Sequence, residues 1–241
     1  MGFSQLRKKI KLKLLARLLA GDNVTCNICN HSYSSFLPYL NRANALCPHC
    51  GSLERVRLVH YFTQQLNLVN SDTKLLHIAP ERCLYNIYSK KLGGNYIPAD
   101  KFEEVYSYPK GTVEMDITNI QMEDGSVDGI ICIHVLEHIQ DDQKAIAELY
   151  RVLKKGGFAI LQVPYEKDRT TTYEDPGITT REDRRKHFGQ FDHVRIYGTD
   201  FIDRFLEPGF TIEHRNFADT IPAEVKERHV FKQQEIFLLR K

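Results

Sequence analysis

Four of the six cysteines form two Cys-x-x-Cys pairs, Cys26/Cys29 and Cys47/Cys50, with 17 residues between the pairs. That spacing suits a four-thiolate zinc site. Each Cys-x-x-Cys turn directs two sulfurs at a point about 2.3 Å away, and two such turns close a tetrahedron. A zinc ion with all four positions filled by protein is expected to be structural, which leaves His31 and His49 surplus to the set. In small modules such binding supplies roughly 10–16 kcal/mol of apparent folding free energy, which a stretch this poor in apolar residues needs. A redox role is not expected, because neither pair stands at a strand-to-helix turn. Cys83 and Cys132 stand alone. This usage suits a reducing, cytoplasmic compartment better than a disulfide framework.

A second group of reactive residues, His134-x-x-Glu137-His138, matches the H-x-x-E-H pattern of inverted zinc proteases. Those enzymes project both histidines from one helical face. Here the motif begins at the end of an apolar strand, so a protease is not expected.

The elements that position these groups are readable from periodicity. Ser52 is a candidate N-cap for a helix in which Leu53, Val56, Val59, Phe62 and Leu66 recur at helical spacing. From Lys74 onward, strand and helix alternate. Strands are expected at 74–79, 95–100, 112–117, 127–133 and 158–164, with further strands at 210–217 and 229–240. Helices are expected at 81–92, closed by Gly93-Gly94, at 142–155, with Asp141 or Asp142 as cap and Lys154-Lys155 before Gly156-Gly157, and at 199–206. Residues 165–197 form one long polar interruption. Apolar strands alternating with amphipathic helices predict an α/β fold with a doubly wound, mostly parallel sheet. The expected organisation is a basic amphipathic helix at 1–21, a zinc-ribbon-like module at 22–51 and a larger domain at 52–241.

The run Val127–Pro164, VDGIICIHVLEHIQDDQKAIAELYRVLKKGGFAILQVP, resembles the class I S-adenosylmethionine-dependent methyltransferases, and most closely their type 11 group. The resemblance extends from Lys74 to the C-terminus. It implies a Rossmann-like sheet of seven strands with an antiparallel final hairpin, and S-adenosylmethionine as cofactor. By that resemblance Asp100 takes the ribose hydroxyls, which suits a group with two acceptor oxygens. Asp116 and Ile117 hold the adenine, and Ile133 and His134 line the methionine end. One departure concerns the loop after the first strand of this domain. His77-Ile78-Ala79-Pro80-Glu81-Arg82 contains no glycine, so positive-φ geometry is not expected there. His77, Ala79 and Glu81 are then the cofactor-binding candidates, with Glu81 facing the ammonium group. Ubiquinone-pathway O-methyltransferases, similar in this region, bind a divalent metal through a Glu-x-x-Glu-His set. His134, Glu137 and His138 are therefore an alternative ion site, set against the favoured reading as ordinary cofactor-side residues.

A long irregular insertion in a compact domain is commonly a lid or binding loop. Methyl transfer gains from aligning the acceptor and from a base titrating near neutrality. His193 is the candidate base and His187 the alternative, with Asp192 orienting the imidazole and Arg195 and Tyr197 contacting substrate. The acceptor is expected to be a small molecule or a glycan or lipid headgroup. Two alternatives are an RNA methyltransferase that uses the zinc module and basic helix on RNA, and a non-catalytic scaffold.

The formal net charge of +2 does not by itself imply a nucleic-acid partner. Its placement is uneven. Arg7, Lys8, Lys9, Lys11, Lys13 and Arg17 all precede the first acid, Asp22. They share an expected helix, Phe3–Ala20, with the stripe Leu6, Ile10, Leu14 and Leu18. Packing of that stripe on the protein body is the expectation, and contact with an anionic membrane surface the alternative. No stretch reaches the roughly 20 apolar residues a membrane span requires.

Overall fold

The computed structural model describes residues 12, 14–102, 107–215, 217–231 and 235–241. The chain divides into two compact units. One comprises Met1–Leu68, Glu81–Ile87 and Asn216–Glu235, and the other Val69–Pro80, Tyr88–Arg215 and Ile236–Lys241. The division cuts differently from the boundary read at Ser52.

In the first unit, residues 14–18 are helical. Two small antiparallel ribbons follow, β1 (Ala20–Thr25) with β2 (Ser32–Tyr33) and β3 (Leu37–Tyr39) with β4 (Arg42–Leu46). Helix α1 (Glu54–Gln65) buries Val56, Val59 and Phe62 on the face expected of its periodicity. Its N-cap is Leu53, with no side-chain cap bond. Ser52 instead turns its hydroxyl to the sulfurs of Cys26 and Cys50, at 3.3 and 3.2 Å.

Arg57 on α1 is wholly buried and organises this unit. Its guanidinium donates to the carbonyls of Ala45, Ser52, His229 and Val230 and lies over the Phe36 ring. Burial pushes its pKa down, against the pull of Cys26 and Glu54. Four carbonyl acceptors satisfy the fork, which is what makes a buried guanidinium tolerable.

The leading face of the N-terminal helix differs from the expected one. Ala16 and Leu19 pack on the cysteine cluster, whereas Leu14 and Leu18 are 55% and 80% exposed. Leu6, Ile10 and most of the basic residues lie outside the described residues.

The second unit holds the seven-stranded sheet. Its strands are β5 (Leu75–Ile78), β6 (Tyr96–Asp100), β7 (Val113–Glu114), β8 (Val127–Ile133), β9 (Leu153–Gln162), β12 (Thr211–His214) and β13 (Phe237–Arg240). The order is β12-β13-β9-β8-β5-β6-β7. The strands from β7 to β9 run parallel, and β13 is antiparallel to both β9 and β12. This is the doubly wound sheet with a terminal hairpin that the resemblance implied. Helix α2 (Arg82–Leu92) follows β5 and passes into a short turn at Gly93, whose φ is +52°. Helix α3 (Asp142–Val152) is capped by Asp141, which accepts from the Lys144 N–H. Its apolar face, Ala145, Ile146, Leu149 and Val152, joins the core formed by Leu76, Ile130 and Leu161.

Several boundaries move. α3 ends at Val152, and Lys154-Lys155-Gly156-Gly157 belongs to β9 rather than to a helix cap. Leu153 is already extended and pairs with Val127, while Phe158 pairs with Gly129, so the intervening residues form an irregularity in the strand. Lys154 there meets the Asp128 carboxylate at 2.6 Å. β7 stops at Glu114 because Asp116 turns the chain, its Oδ1 accepting from the Thr118 N–H and hydroxyl. The final strand is confined to Phe237–Arg240. A 3-10 turn (Phe217–Thr220) and helix α6 (Ala223–His229) precede it, both in the first unit. The polar interruption contains the ribbon β10 (Tyr173–Glu174) with β11 (Arg195–Ile196) and helix α4 (Arg181–Phe188). Helix α5 (Phe201–Leu206) follows.

Candidate functional site

The parallel register sets the candidate cofactor edge. Ile78 pairs with Ala99 on one side and Cys132 on the other. The next residue along each strand is Ala79, Asp100 and Ile133. Glu114 pairs with Asp100, and Gln162 with Ile133. Five strands thus bring their carboxyl ends to one row, where ligands of open α/β sheets gather.

Two residues at this edge carry left-handed backbone without being glycine: Ala79 at φ +47° and His134 at φ +53°. The Ala79 N–H donates to the Ala99 carbonyl at 2.8 Å, and the His134 N–H to the Gln162 carbonyl at 2.8 Å. The expectation that a glycine-free loop would avoid positive φ is therefore corrected. The neighbouring strand supplies an acceptor that holds the strained turn, at a cost of about 1–3 kcal/mol.

The other cofactor candidates are placed as follows. The His77 ring is fully buried, with Nδ1 3.0 Å from the Tyr96 hydroxyl and its face near Tyr88. Glu81 belongs to the first compact unit. Asp116 has one oxygen committed to Thr118, while Lys101 lies 3.3 Å from the other. These contacts hold its carboxyl below the usual range, the Thr118 N–H contributing most. Asp116 lines an open depression of about 540 Å³ with Ile97, Met115, Asn119 and Met122. Ile117 is buried in the core.

Beyond β8, Leu136–His138 forms a 3-10 turn. The Val194 N–H donates to the Glu137 carbonyl at 3.0 Å, which pins residues 192–195 against this turn. Five side chains meet there. His134 Nδ1 is 3.1 Å from Glu137 Oε1. His138 Nδ1 is 3.4 Å from Asp192 Oδ2. The His138 and His193 rings are 4.8 Å apart and nearly perpendicular. Ligand atoms of Glu137, His138 and His193 all lie within 4.8 Å of one another. Burial pushes the His193 pKa down, with Glu137 opposing.

The expected roles divide accordingly. His193 is in the cluster, but Asp192 faces His138 rather than orienting His193. His187 is exposed on α4 and bonds the Tyr173 hydroxyl at 3.0 Å. Arg195 and Tyr197, read as substrate contacts, are buried at 2% exposure each. Arg195 donates to the carbonyls of Leu136, Ile139 and Gln140 and pairs with Glu174. Tyr197 donates to Asp142 at 2.5 Å. Arg195 braces the turn, and Tyr197 is anchored to the first residue of α3. Periodicity carries no signal for such a clamp, since its partners lie 55 to 59 residues away.

In the first unit, Cys26, Cys29, Cys47 and Cys50 converge. Their sulfurs lie within 4.8 Å of one another, with Cys26–Cys50 at 3.6 Å and Cys29–Cys47 at 3.7 Å. A tetrahedron with bonds of about 2.3 Å has edges of about 3.8 Å, so the four thiolates fit a zinc ion. Hydrogen bonding from Cys29 favours the Cys26 thiolate, the charge state of a ligand. The His31 and His49 rings stack at 3.7 Å beside the cysteines and take no part in the set.

This sheet order, with its antiparallel terminal hairpin and polar residues at the carboxyl ends, defines an α/β protein of the methyltransferase fold. The family model described as a methyltransferase domain matches residues 61–161, most of which lie in the unit that carries this fold. Similar structures include a chain of the Haloferax volcanii complex between the Trm112 methyltransferase activator and a protein assigned as a methyltransferase (14% identity, TM-score 0.50, 75% of this chain and 89% of that one). A protein from Bacillus halodurans C-125 assigned as a methyltransferase aligns at 15% identity and TM-score 0.50, covering 75% and 97% of the two chains. The [4+2]-cyclase SpnF aligns over 98% of this chain and 94% of its own, at 13% identity and TM-score 0.52. These identities speak for the fold alone, and the cyclase carries that fold under a different activity. An uncharacterized 37.1 kDa protein in transposon TN4556 of Streptomyces fradiae is 38% identical over 105 residues, 43% of this chain. The chain spans 30% of that protein's length.

Proposed function

We propose that the protein transfers a methyl group from S-adenosylmethionine to a small molecule or to a glycan or lipid headgroup. The observation that carries this reading is the row Asp100, Ala79 and Ile133 at the carboxyl ends of adjacent parallel strands, closed by the His134 turn. When bound, S-adenosylmethionine supplies an electrophilic methyl group on a sulfonium. Asp100 is suited to the ribose diol. Asp116, with the apolar Met115 and Met122 nearby, is suited to a purine carrying an amino group. Ala79 and His134 let the backbone come close where a longer extended loop would stand away. The cluster of His134, Glu137, His138, Asp192 and His193 then lies on the acceptor side, where it positions the acceptor and holds its proton.

The same reading makes the zinc of the four-cysteine module structural, because four sulfurs leave no position open for chemistry. It also places Leu14 and Leu18 as a peripheral contact with an anionic membrane surface, supported by their exposure and by the basic residues around them in sequence. Among the described residues no helix is long and apolar enough to cross a membrane.

Calorimetry with S-adenosylmethionine and S-adenosylhomocysteine tests the activity. Micromolar binding that weakens at least tenfold in Asp100→Ala is expected. Absence of binding at millimolar cofactor by folded protein would sink the reading.

A further inference from the structure

We propose that Glu137, His138 and His193 form a binding site for a divalent first-row metal ion, separate from the four-cysteine site and with coordination positions left open. The inference goes beyond methyl transfer and does not depend on it.

The local fold builds the site. Glu137 and His138 are consecutive in the 3-10 turn after β8. His193 arrives from a segment more than 50 residues downstream, held by the Val194-to-Glu137 backbone bond. Arg195 fixes the turn and the residues that follow it through the carbonyls of Leu136, Ile139 and Gln140. The three ligand atoms therefore converge on elements already rigidly held, all within 4.8 Å of one another. A metal site needs that preorganisation.

An independent observation points to a cation. Glu137 is 1% exposed, and its Oε2 accepts no hydrogen bond among the described residues. Its other oxygen is engaged by His134. A carboxylate buried in this way, with one oxygen unmatched, carries a desolvation cost that a coordinated cation offsets. The two histidines whose ring nitrogens lie near this carboxylate are ligands of the matching kind. His138 has its Nδ1 directed at Asp192, with the Asp192 backbone carbonyl at 3.3 Å and Oδ2 at 3.4 Å. That contact orients the ring and leaves Nε2 for the ion, the carboxylate–histidine–metal arrangement in which the outer carboxylate raises ligand basicity. His193, 8% exposed, presents its ring edge-on to His138.

Two imidazoles and one carboxylate select a borderline cation such as Mn²⁺, Fe²⁺, Co²⁺, Ni²⁺ or Zn²⁺ rather than Ca²⁺. Three protein ligands leave at least one position for water or for an acceptor oxygen. The donor set differs from His134, Glu137 and His138, the set the sequence suggested. His134 serves instead as the hydrogen-bond partner of Glu137 Oε1.

The test uses the full chain with its cysteine site zinc-loaded and loosely held metal removed by a weak chelator. Mn²⁺ is the probe, because it binds poorly to thiolate sites. Loss of the free Mn²⁺ electron paramagnetic resonance signal on titration reports binding, and circular dichroism reports folding. One equivalent is expected for the wild type and for His187→Ala. Glu137→Gln and His193→Gln should each weaken binding by at least a hundredfold, and Asp192→Asn by about 10–100-fold. If Glu137→Gln fails to fold, His193→Gln and Asp192→Asn decide. Absence of Mn²⁺ binding by folded wild type, or binding unchanged in the folded variants, overturns the proposal. Cofactor binding is read separately by calorimetry, so failure of the methyl-transfer reading leaves the Mn²⁺ result standing.

Discussion

Nη1 of Arg195 donates to the carbonyl oxygen of Leu136 at 2.9 Å, a bond that spans 59 residues of sequence. Through it, and through companion bonds to Ile139 and Gln140, one buried guanidinium holds the turn that carries Glu137 and His138. Arg195→Met should destabilise the protein by about 3–5 kcal/mol, because it leaves three carbonyls and Oε2 of Glu174 without their donor, Arg204 still holding Oε1. Arg195→Lys should not rescue it, since a single ammonium cannot reproduce a planar fork directed at three acceptors. Urea unfolding monitored by circular dichroism checks both, and a loss below 1 kcal/mol in either variant would contradict the clamp.

Ala79 offers the opposite sign. Its left-handed backbone is strained for any residue with a Cβ, so Ala79→Gly should stabilise the fold. The gain is about 0.5–1 kcal/mol once the greater freedom of glycine in the unfolded chain is deducted. Ala79→Val should destabilise by more than ~1 kcal/mol, because β-branched residues tolerate this region worst. Thermal melting of the three proteins should rank them Gly, Ala, Val.

The Arg151 guanidinium holds the Glu148 carboxyl below its usual range, helped by the Ile120 N–H that donates to it at 2.7 Å. A carboxyl lowered in the folded state stabilises the fold above its unfolded value of about 4.3 and loses that contribution as pH falls through the folded value. Glu148→Gln should therefore cost stability at pH 7, and the gap from wild type should shrink as pH drops below about 4. Urea midpoints at pH 7, 5 and 3.5 check it. A gap that is constant across this range would remove Glu148 from the account of acid sensitivity.

Cys47 is the buried member of the second Cys-x-x-Cys pair. Cys47→Ser should drop the zinc content of protein treated with a weak chelator from about one ion per chain towards none, with a lower melting temperature, because a three-sulfur site loses the closed tetrahedron. Elemental analysis reads the first effect and calorimetry the second. Unchanged zinc content would refute the four-cysteine assignment.

Leu14 and Leu18 face outward while Ala16 and Leu19 pack inward. Replacing both exposed leucines with serine should leave melting unchanged within about 0.5 kcal/mol, as surface changes usually do. Co-sedimentation with phosphatidylserine-containing vesicles should fall severalfold and, in the wild type, weaken with added salt. Equal sedimentation of the two proteins would remove the membrane contact.

Much of this was legible from local pattern. The spacing of the cysteines, the apolar run Val127–Ile133 and the stripe Ala145, Ile146, Leu149 and Val152 each report short-range geometry, and each is found where the pattern put it. Local pattern failed where a local preference met a stronger non-local bond. Lys154–Gly157 has the composition of a helix end, yet strand pairing draws the chain into β9 from Leu153 onward. Ser52 is a good cap by type, yet its hydroxyl turns to two sulfurs. Ala79 should avoid positive φ, yet the Ala99 carbonyl holds its N–H there.

The sequence by itself determined the strand–helix alternation from Lys74 to Gln162, the class of sheet it forms and the four thiols aimed at one point, because periodicity and ligand spacing act over a few residues. Only the tertiary structure decided which side chains meet beyond β8. His138 finds Asp192, Glu137 finds His193, and Arg195 turns from a substrate contact into the clamp that holds them. These pairings join residues more than 50 positions apart, and that proximity exists only once the chain has folded back on the ends of its own strands.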